Sequence, residues 1–234
     1  MTTVVLLRHG RTRANATGVL AGRSAGVGLD DRGLEQAATA AQRLAGSPLA
    51  AVVSSPLQRC RQTAAAVLAE HPRLDLDTDR GLVECGYGEW TGRPLKELAK
   101  DPLWTTVQDQ PSAARFPGGE SLLEMAARAQ QTIHDLDRTI GAEHGPDAVW
   151  VAVSHGDVIK AILAGALGMH LDSFQRILVD PASISVIRLG QHRPHVACMN
   201  TTAGDLTAML TPTKRGRRRR PRGPQVGGGL GSAD

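Results

Sequence analysis

Two apolar stretches decide the fold of this chain of 234 residues: Val4-Val5-Leu6-Leu7-Arg8-His9-Gly10, and Val149-Trp150-Val151-Ala152-Val153-Ser154-His155-Gly156. Each is a continuous run of strand length that ends in His-Gly. Runs of this kind, rich in Val and Leu, are typical of strands buried on both faces of a parallel sheet. We therefore expect His9 and His155 at the carboxyl ends of two strands, which is the edge where ligands bind in open α/β sheets.

A third segment, residues 51–63, has the pattern of a strand, a turn and a helix. Ser55 fits a helix N-cap and Pro56 the first helical position, which would place Arg59 in the opening turns of a helix at the same sheet edge. Taken singly, a histidine after a strand is most often a polar loop residue, and an arginine is most often a surface salt-bridge partner. The joint occurrence of these strings favours an anion-binding site that contains a candidate nucleophile.

The strings and their order resemble those of the histidine phosphatase superfamily, which contains the cofactor-dependent phosphoglycerate mutases and the phosphatase half of the fructose-bisphosphate enzymes. The resemblance covers roughly residues 1–200. It is carried by these strings: Leu7-Arg8-His9-Gly10, Ser54-Ser55-Pro56-Leu57-Gln58-Arg59, Glu84-Cys85-Gly86-Tyr87-Gly88 followed by Trp90-Thr91-Gly92, Pro117-Gly118-Gly119-Glu120-Ser121, and Ser154-His155-Gly156.

What the resemblance implies is a phosphomonoester hydrolase that acts on a small phosphorylated metabolite through a phosphohistidine on His9. Glu84 would be the proton donor. The implied catalytic residues are His9, Glu84, Arg8, Arg59 and His155. The implied substrate-binding residues are Arg8, Asn15, Arg59, His155 and Gly156.

Phosphoryl transfer explains why these residue types are needed. The transferred group spreads negative charge over three oxygens, and arginine presents a planar fork of donors to them, so Arg8 and Arg59 suit that role. A neutral His9 can attack phosphorus, while a protonated carboxylic acid can protonate the leaving alcohol. Glu89 competes with Glu84 for the acid role, and the spacing to Tyr87-Gly88 favours Glu84. Because arginines supply the positive charge, we expect neither a metal ion nor a cofactor.

Two other functions remain open from the sequence. One is a phosphoglycerate mutase-like phosphomutase, and the other is a non-catalytic member that binds phosphate in a regulatory role. The short pattern from Glu84 to Gly92 resembles the phosphatases of the family more than the mutases. The segment 84–117 is expected to fold over the site as a cap. Its aromatic residues and its cations suit a small anionic phosphomonoester without naming one. They are Trp90, Trp104 and Phe116, with Arg93, Lys96, Lys100 and Arg115.

Apolar spacing elsewhere predicts helices around a sheet. Leu34, Ala37, Ala41 and Leu44 repeat at helical intervals after Asp30, and a longer repeat runs from Leu122 to Ile140 behind a Ser121–Glu124 capping box. Two closing strands are expected at 183–189 and 195–199. We therefore predict a three-layer α/β/α sandwich with a mostly parallel central sheet, formed by a single domain over residues 1–211.

Charge and composition set the outer bounds. Residues 214–234 contain seven cations and one anion, a formal +6, so the chain's net charge of +4 leaves −2 for residues 1–213. We expect the Arg/Pro/Gly-rich segment 212–234 to be a disordered basic tail, either a solvated terminus or a weak contact for nucleic acid or anionic lipid. The charge of −2 on the body predicts no nucleic-acid-binding surface there. Three cysteines without metal or disulfide spacing, and an apolar start too short to be a signal peptide or a membrane span, predict a cytoplasmic protein. The sequence leaves its oligomeric state open, with a dimer among the options.

Overall fold

A computed structural model describes residues 1–190 and 193–211, so the predicted tail at 212–234 lies outside the described residues. The strands are β1 (Thr2–Arg8), β2 (Leu49–Ser54), β3 (Leu76–Thr78), β4 (Val149–Ser154), β5 (Ile184–Leu189) and β6 (His195–Thr201). The helices are α1 (Arg13–Thr17), α2 (Asp31–Leu44), α3 (Gln58–Glu70), α4 (Leu95–Leu98), α5 (Leu103–Asp109), α6 (Leu122–His144), α7 (Gly156–Ala166) and α8 (Thr207–Leu210). Short 3-10 turns occur at Arg80–Leu82, Gly88–Trp90, Pro111–Ala113 and Leu171–Arg176.

The strands form one six-stranded sheet in the order β3-β2-β4-β1-β5-β6. The pairs β3–β2, β2–β4 and β4–β1 are parallel, whereas β5 runs antiparallel to both β1 and β6. Only β5 therefore opposes the common direction of the described strands. The prediction of a mostly parallel central sheet is confirmed, and β1 and β4 lie at its centre.

Helices cover both faces of this sheet. Alternate β1 residues point to opposite sides, because Val4 and Leu6 pack in the core beneath α6 and α7, while Val5 and Leu7 pack in the core beneath α2 and α3. All four of these side chains are fully buried. Both strand faces are thus apolar, which explains the continuous hydrophobic runs in the sequence and confirms the three-layer sandwich.

The predicted helix signals are present in the two long helices. Ser121 accepts a hydrogen bond from the Glu124 N–H while the Glu124 carboxylate accepts one from the Ser121 N–H, so the capping box at the start of α6 is confirmed. Asp30 caps α2 through the Gly33 N–H. Within α2 the predicted apolar stripe needs one correction, because Leu34 is 49% exposed and Gly33 takes its place in the core.

The predicted start of α3 at Pro56 is wrong. The helix begins at Gln58, and Leu57, in extended conformation, is its N-cap and provides no side-chain cap. Ser55, the predicted cap, instead has its hydroxyl within 2.8 Å of His155 Nε2. Arg59 still lies in the first turn of the helix, as expected.

Close packing around the first His-Gly turn fixes the place where β1 ends. A Cβ atom on Gly10 would collide with the backbone carbonyl of Gly33 at the start of α2, and one on Gly33 would collide with the carbonyl of Arg11. The Gly10 N–H also donates to the Thr63 hydroxyl of α3. The two glycines thereby let α2 approach the turn that carries His9, and the hydrogen bond to Thr63 ties α3 to the same turn.

Candidate active site

In-register pairing of the central strands brings the two histidines together. Arg8 pairs with Ser154 at the end of the β1–β4 ladder, and the His9 N–H donates to the Ser154 carbonyl at 3.0 Å. The next residue on each strand is the histidine, so the rings of His9 and His155 lie edge to face with centroids 5.3 Å apart. Both histidines lie at the carboxyl edge of the sheet, where the sequence predicted them.

His9 is held with one ring nitrogen free. Its Nδ1 lies 2.7 Å from the Gly10 carbonyl oxygen, which can only accept, so Nδ1 carries the proton and Nε2 keeps a lone pair. The residue is 3% exposed. Burial lowers the pKa of His9 well below its ordinary value, and the charges of Arg59 and Arg8 lower it further. The imidazole is therefore neutral and nucleophilic near neutral pH.

His155 lies behind this ring, at the N-cap of α7, and has no exposed surface. Nη2 of Arg59 approaches its Nδ1 at 3.2 Å, and because a guanidinium can only donate, Nδ1 accepts. Its Nε2–H then donates to the Ser55 hydroxyl. Burial and the charge of Arg59 hold the pKa of His155 well below its usual range. His155 is thus a neutral ring whose two nitrogens are both engaged.

The two predicted arginines converge on the same spot from different elements. Arg8 at the end of β1 donates through Nη1 to the Val179 carbonyl at 2.6 Å, and Arg59 of α3 donates through Nη2 to the Gly22 carbonyl at 2.7 Å. Arg59 is 2% exposed. Arg8 Nε and Arg59 Nη1 are buried and have no partner within the described ranges. The protein therefore orients both forks while one buried donor of each stays free for an anion.

Glu84 lies at the same site, with its Oε2 4.0 Å from His155 Nδ1. Its Oε1 accepts a hydrogen bond from the Cys85 N–H at 3.0 Å. Burial, reinforced by the negative charge of Asp157, raises the pKa of Glu84 from its ordinary value of 4.5 to about 7. Glu89, its competitor in the sequence, is exposed and does not line the cavity described below.

The other two predicted binding residues lie on helix N-termini. Asn15 closes a capping box with Thr12 at the start of α1, where its Oδ1 accepts from the Thr12 backbone N–H at 3.1 Å. Because the oxygen is used in the cap, the amide NH2 group of Asn15 is the end left for another ligand. Gly156 is the first residue of α7, next to the Arg8 guanidinium.

A cavity of about 460 Å³ opens in front of these groups. Arg8, His9, Asn15, Glu84 and Gly156 line it, together with Arg59, whereas the fully buried His155 does not. Its far wall is aromatic, because Trp90 packs against both Trp104 and Phe116, with ring centroids 6.1 Å and 5.2 Å away. The four cations noted in the segment 84–117 point elsewhere: Arg93, Lys96, Lys100 and Arg115 are exposed and do not line the cavity.

Sequence reasoning missed a cluster of hydrogen-bonded polar side chains on the wall of the same cavity. Lys160 Nζ lies 3.4 Å from Asp157 Oδ1 and 3.0 Å from Gln175 Oε1, and the Tyr87 hydroxyl donates to Asp157 Oδ2 at 2.7 Å. Asp157 directly follows the second His-Gly on α7, and Lys160 lies three residues after Asp157 and four after Gly156. That helical spacing was the signal that could have found them. Gln175 comes from a distant turn, and no local pattern marks it.

Among residues 1–190 and 193–211, no group of three or more His, Cys, Asp or Glu side chains could hold a metal ion. None of the helices built from those residues has both the length and the apolar character needed to cross a bilayer. The positive charge in the cavity comes from Arg8, Arg59 and Lys160.

This arrangement has the parts that phosphoryl transfer needs. A buried nucleophile with a free lone pair lies beside two oriented guanidinium groups, and a carboxyl group that can hold a proton near neutral pH faces the same cavity. Catalysis of phosphoryl transfer depends on in-line positioning and on charge stabilisation. Here hydrogen bonds to backbone carbonyls hold His9, Arg8 and Arg59 in place.

Comparison with known proteins places this geometry in a family. The model of the histidine phosphatase superfamily, branch 1, matches residues 4–202. The glucosyl-3-phosphoglycerate phosphatase of Mycolicibacterium vanbaalenii is 32% identical over 192 residues, which cover 81% of this chain and 84% of the relative. A probable phosphoglycerate mutase of Yersinia pestis is 30% identical over 216 residues, 91% of this chain and 97% of that protein.

The fold is also shared with solved structures. A crystal structure of the phosphoserine phosphatase of Entamoeba histolytica, in complex with 3-phosphoglyceric acid, superposes with a TM-score of 0.77 at 25% identity. The match covers 86% of this chain and 98% of that one.

Proposed function

Because this chain belongs to the histidine phosphatase superfamily, we propose that it hydrolyses a small phosphomonoester through a phosphohistidine formed on His9. The observation that carries the proposal is the free Nε2 of a neutral, buried His9 between two arginines that each keep a buried donor. Similarity to phosphatases named for glucosyl-3-phosphoglycerate and for phosphoserine supports a small phosphorylated metabolite as the substrate.

The phosphate would bind where the two guanidinium groups converge. Arg8 Nε and Arg59 Nη1 would donate to its oxygens as charge-assisted hydrogen bonds. The amide NH2 of Asn15 and the N–H groups at the start of α7, beginning with Gly156, add donors and the positive end of a helix dipole. His155 does not line the cavity, so its role is to hold Arg59 through Nδ1.

In the first half of the reaction, the lone pair on His9 Nε2 attacks phosphorus and the bond from phosphorus to the ester oxygen breaks. Glu84 gives its proton to that oxygen, and the alcohol leaves as a neutral molecule. The raised pKa of Glu84 keeps a large share of the carboxyl groups protonated near pH 7, which suits this role. Exposed Glu89 has no comparable position.

The second half returns the enzyme to its starting state. The Glu84 carboxylate takes a proton from a water molecule as the water oxygen attacks phosphorus, and the bond from His9 Nε2 to phosphorus breaks. Inorganic phosphate leaves, His9 is again neutral and Glu84 is again protonated. Both carboxyl states are used in each turnover, so a pKa near the working pH serves both steps.

A phosphomutase is the second candidate, and the similarity to the probable phosphoglycerate mutase of Yersinia pestis favours keeping it. The two reactions share the phosphohistidine and differ in whether water or a second substrate hydroxyl accepts the phosphoryl group. Incubation with 3-phosphoglycerate, with and without 2,3-bisphosphoglycerate, separates them. A phosphatase releases inorganic phosphate, whereas a mutase interconverts the phosphoglycerates.

The decisive experiment is covalent labelling. Wild-type protein mixed with a labelled phosphomonoester and quenched in base should carry acid-labile phosphate, and His9→Ala should carry none and should not turn over. Circular dichroism of the variant should match the wild type. A folded His9→Ala variant that still acquires acid-labile phosphate would remove His9 from the nucleophile role. A folded wild type that neither acquires covalent phosphate nor turns over any phosphomonoester would favour the non-catalytic alternative.

A further inference from the structure

We propose that the side chains of Arg23, Glu120 and Arg128, hereafter the Glu120 network, fix the backbone that carries Glu84 and so position the general acid. The inference rests on the proposed function, in which Glu84 is the proton donor. None of the three side chains lines the cavity that contains His9. They are therefore positioning residues, which act on the reaction only through Glu84.

Arg128 ties helix α6 to the segment before Glu84. Its guanidinium forms a two-pronged ion pair with Glu120, from Nε to Oε1 at 2.7 Å and from Nη2 to Oε2 at 3.0 Å. The same group donates through Nη1 to the Gly81 carbonyl at 2.7 Å and through Nη2 to the Glu84 carbonyl at 3.2 Å. One side chain thus holds residues 81 and 84 against a long helix.

Arg23 reaches the same carbonyl from the loop between α1 and α2. Its Nε donates to the Glu84 carbonyl at 2.8 Å, and its Nη2 pairs with Glu120 Oε2 at 2.9 Å. The Gly86 N–H also donates to Glu120 Oε2, at 3.1 Å. The Glu84 carbonyl therefore accepts from two guanidinium groups, and the residue two positions later is anchored to the carboxylate that pairs with both.

Regular secondary structure does not perform this task. Residues 84–87 lie between two 3-10 turns and belong to no helix or strand. The Glu84 carboxylate itself accepts from the neighbouring Cys85 N–H, so its position follows that of its own backbone. A general acid must lie within hydrogen-bond reach of the leaving oxygen, and a small displacement of the backbone would move it out of reach.

The network is ionised and partly shielded from water. The side chain of Glu120 is 15% exposed and that of Arg128 is 23% exposed. Burial by itself would raise the pKa of Glu120, but the hydrogen bonds from Arg128 and from the Gly86 N–H outweigh it and lower that pKa below its ordinary value. The side chain of Arg23 is 43% exposed, so water can solvate its charge. Removal of the charge of Glu120 or of Arg128 would leave the other of the two without its partner in a shielded place, so these two residues should fail together.

The sequence places Glu120 where it can be held firmly. It directly precedes Ser121, the N-cap of α6, and Arg128 follows two turns into that helix. The capping box fixes the start of the helix, and with it the direction from which Glu120 meets Arg128 and Arg23. This gives a physical role to the Pro117-Gly118-Gly119-Glu120-Ser121 string, which the catalytic steps do not use.

The test compares substrates with different leaving groups. Glu120→Gln and Arg128→Met are assayed with p-nitrophenyl phosphate, which scarcely needs a general acid, and with the alkyl phosphomonoester that the wild type hydrolyses fastest. The quantity compared is kcat/KM, because it reports the formation of the phosphohistidine, whereas kcat also contains the hydrolysis step that both substrates share. We expect kcat/KM for the alkyl ester to fall by about 10- to 100-fold and kcat/KM for p-nitrophenyl phosphate to change by less than about 3-fold. Arg138→Met is the matched control. Arg138 lies on the same helix α6, but its side chain is 79% exposed and pairs with Asp135, so its replacement should leave kcat/KM for both substrates unchanged.

Glu84→Gln, measured in parallel, separates this inference from the proposed function. If Glu84→Gln is selective for the alkyl ester and the two network variants slow both substrates equally, or slow neither, the inference is overturned while the proposed function stands. If Glu84→Gln itself shows no selectivity, both are overturned. Should Arg128→Met fail to fold, Glu120→Gln decides the outcome alone. Glutamine has the size of glutamate and keeps one accepting oxygen, but it removes the negative charge that pairs with Arg23 and Arg128.

Discussion

Glu84→Gln should make the protein less active, and its stability relative to the wild type should increase as the pH rises. Burial and the charge of Asp157 raise the pKa of Glu84 from 4.5 to about 7 in the folded protein. The folded state therefore holds this proton more tightly than the unfolded state does. The favourable contribution is fully present below about pH 4.5 and is lost as the pH rises through 7, where a buried carboxylate must be ionised.

The magnitude follows from the two pKa values. Their difference corresponds to ~3 kcal/mol of unfolding free energy lost by pH 8, and to ~1 kcal/mol lost at pH 5. Glutamine has the same shape, can still accept from the Cys85 N–H, and does not titrate. The stability of Glu84→Gln relative to the wild type should thus be greater at pH 8 than at pH 5 by roughly 2–3 kcal/mol, or roughly 5–10 °C in Tm.

Urea unfolding of both proteins at pH 5 and pH 8 measures this difference directly. Glu89→Gln is the control, because Glu89 is exposed and its replacement should give the same relative stability at both pH values. An equal effect of Glu84→Gln at the two pH values would refute the argument that burial holds this carboxyl in its protonated form. The assignment of Glu84 as the general acid would then lose its physical basis.

Three further outcomes are expected. Arg59→Lys should lower kcat/KM by about 100-fold with the protein still folded, because a lysine has no planar fork with which to hold both His155 and an oxygen of the phosphate. An unchanged kcat/KM would show that Arg59 does not bind the phosphate. EDTA should leave kcat unchanged, because Arg8 and Arg59 supply the positive charge; activity lost on chelation and restored by one divalent ion would contradict this. Deletion of residues 214–234 should leave kcat, KM and Tm nearly unchanged, since their composition offers little apolar surface to bury; a several-fold shift in KM at physiological salt would contradict it.

Local sequence patterns were sufficient for the features that depend on neighbouring residues. The apolar runs before His9 and His155 predicted two strands buried on both faces of the sheet, because such a strand needs a continuous hydrophobic run. The Ser121–Glu124 capping box predicted where α6 begins, since both partners lie within one turn. Parallel strands end at one sheet edge, so the meeting of the two histidines also followed from the sequence.

Other features depend on residues that are distant in the chain, and only the tertiary structure decided them. The local sequence at Ser55 and Pro56 is typical of a helix cap, yet the Ser55 hydroxyl pairs with His155, one hundred residues later. The helix α3 begins at Gln58. A local propensity is worth about 1 kcal/mol, and a buried hydrogen bond to an imidazole competes with it on equal terms.

The proton on Glu84 is the clearest case of a property that the tertiary structure alone determines. Two glutamates, Glu84 and Glu89, lie five residues apart in the chain and are the same kind of acid. Burial of Glu84 and the charge of Asp157, which lies on the distant helix α7, raise one pKa to about 7, while Glu89 is exposed. The sequence by itself determined the sheet, its edge and the kinds of group gathered there. The packing of distant segments decided which of these side chains are buried, which are charged and how each is oriented. Desolvation and electrostatic energies depend on distance in space and not on separation along the chain.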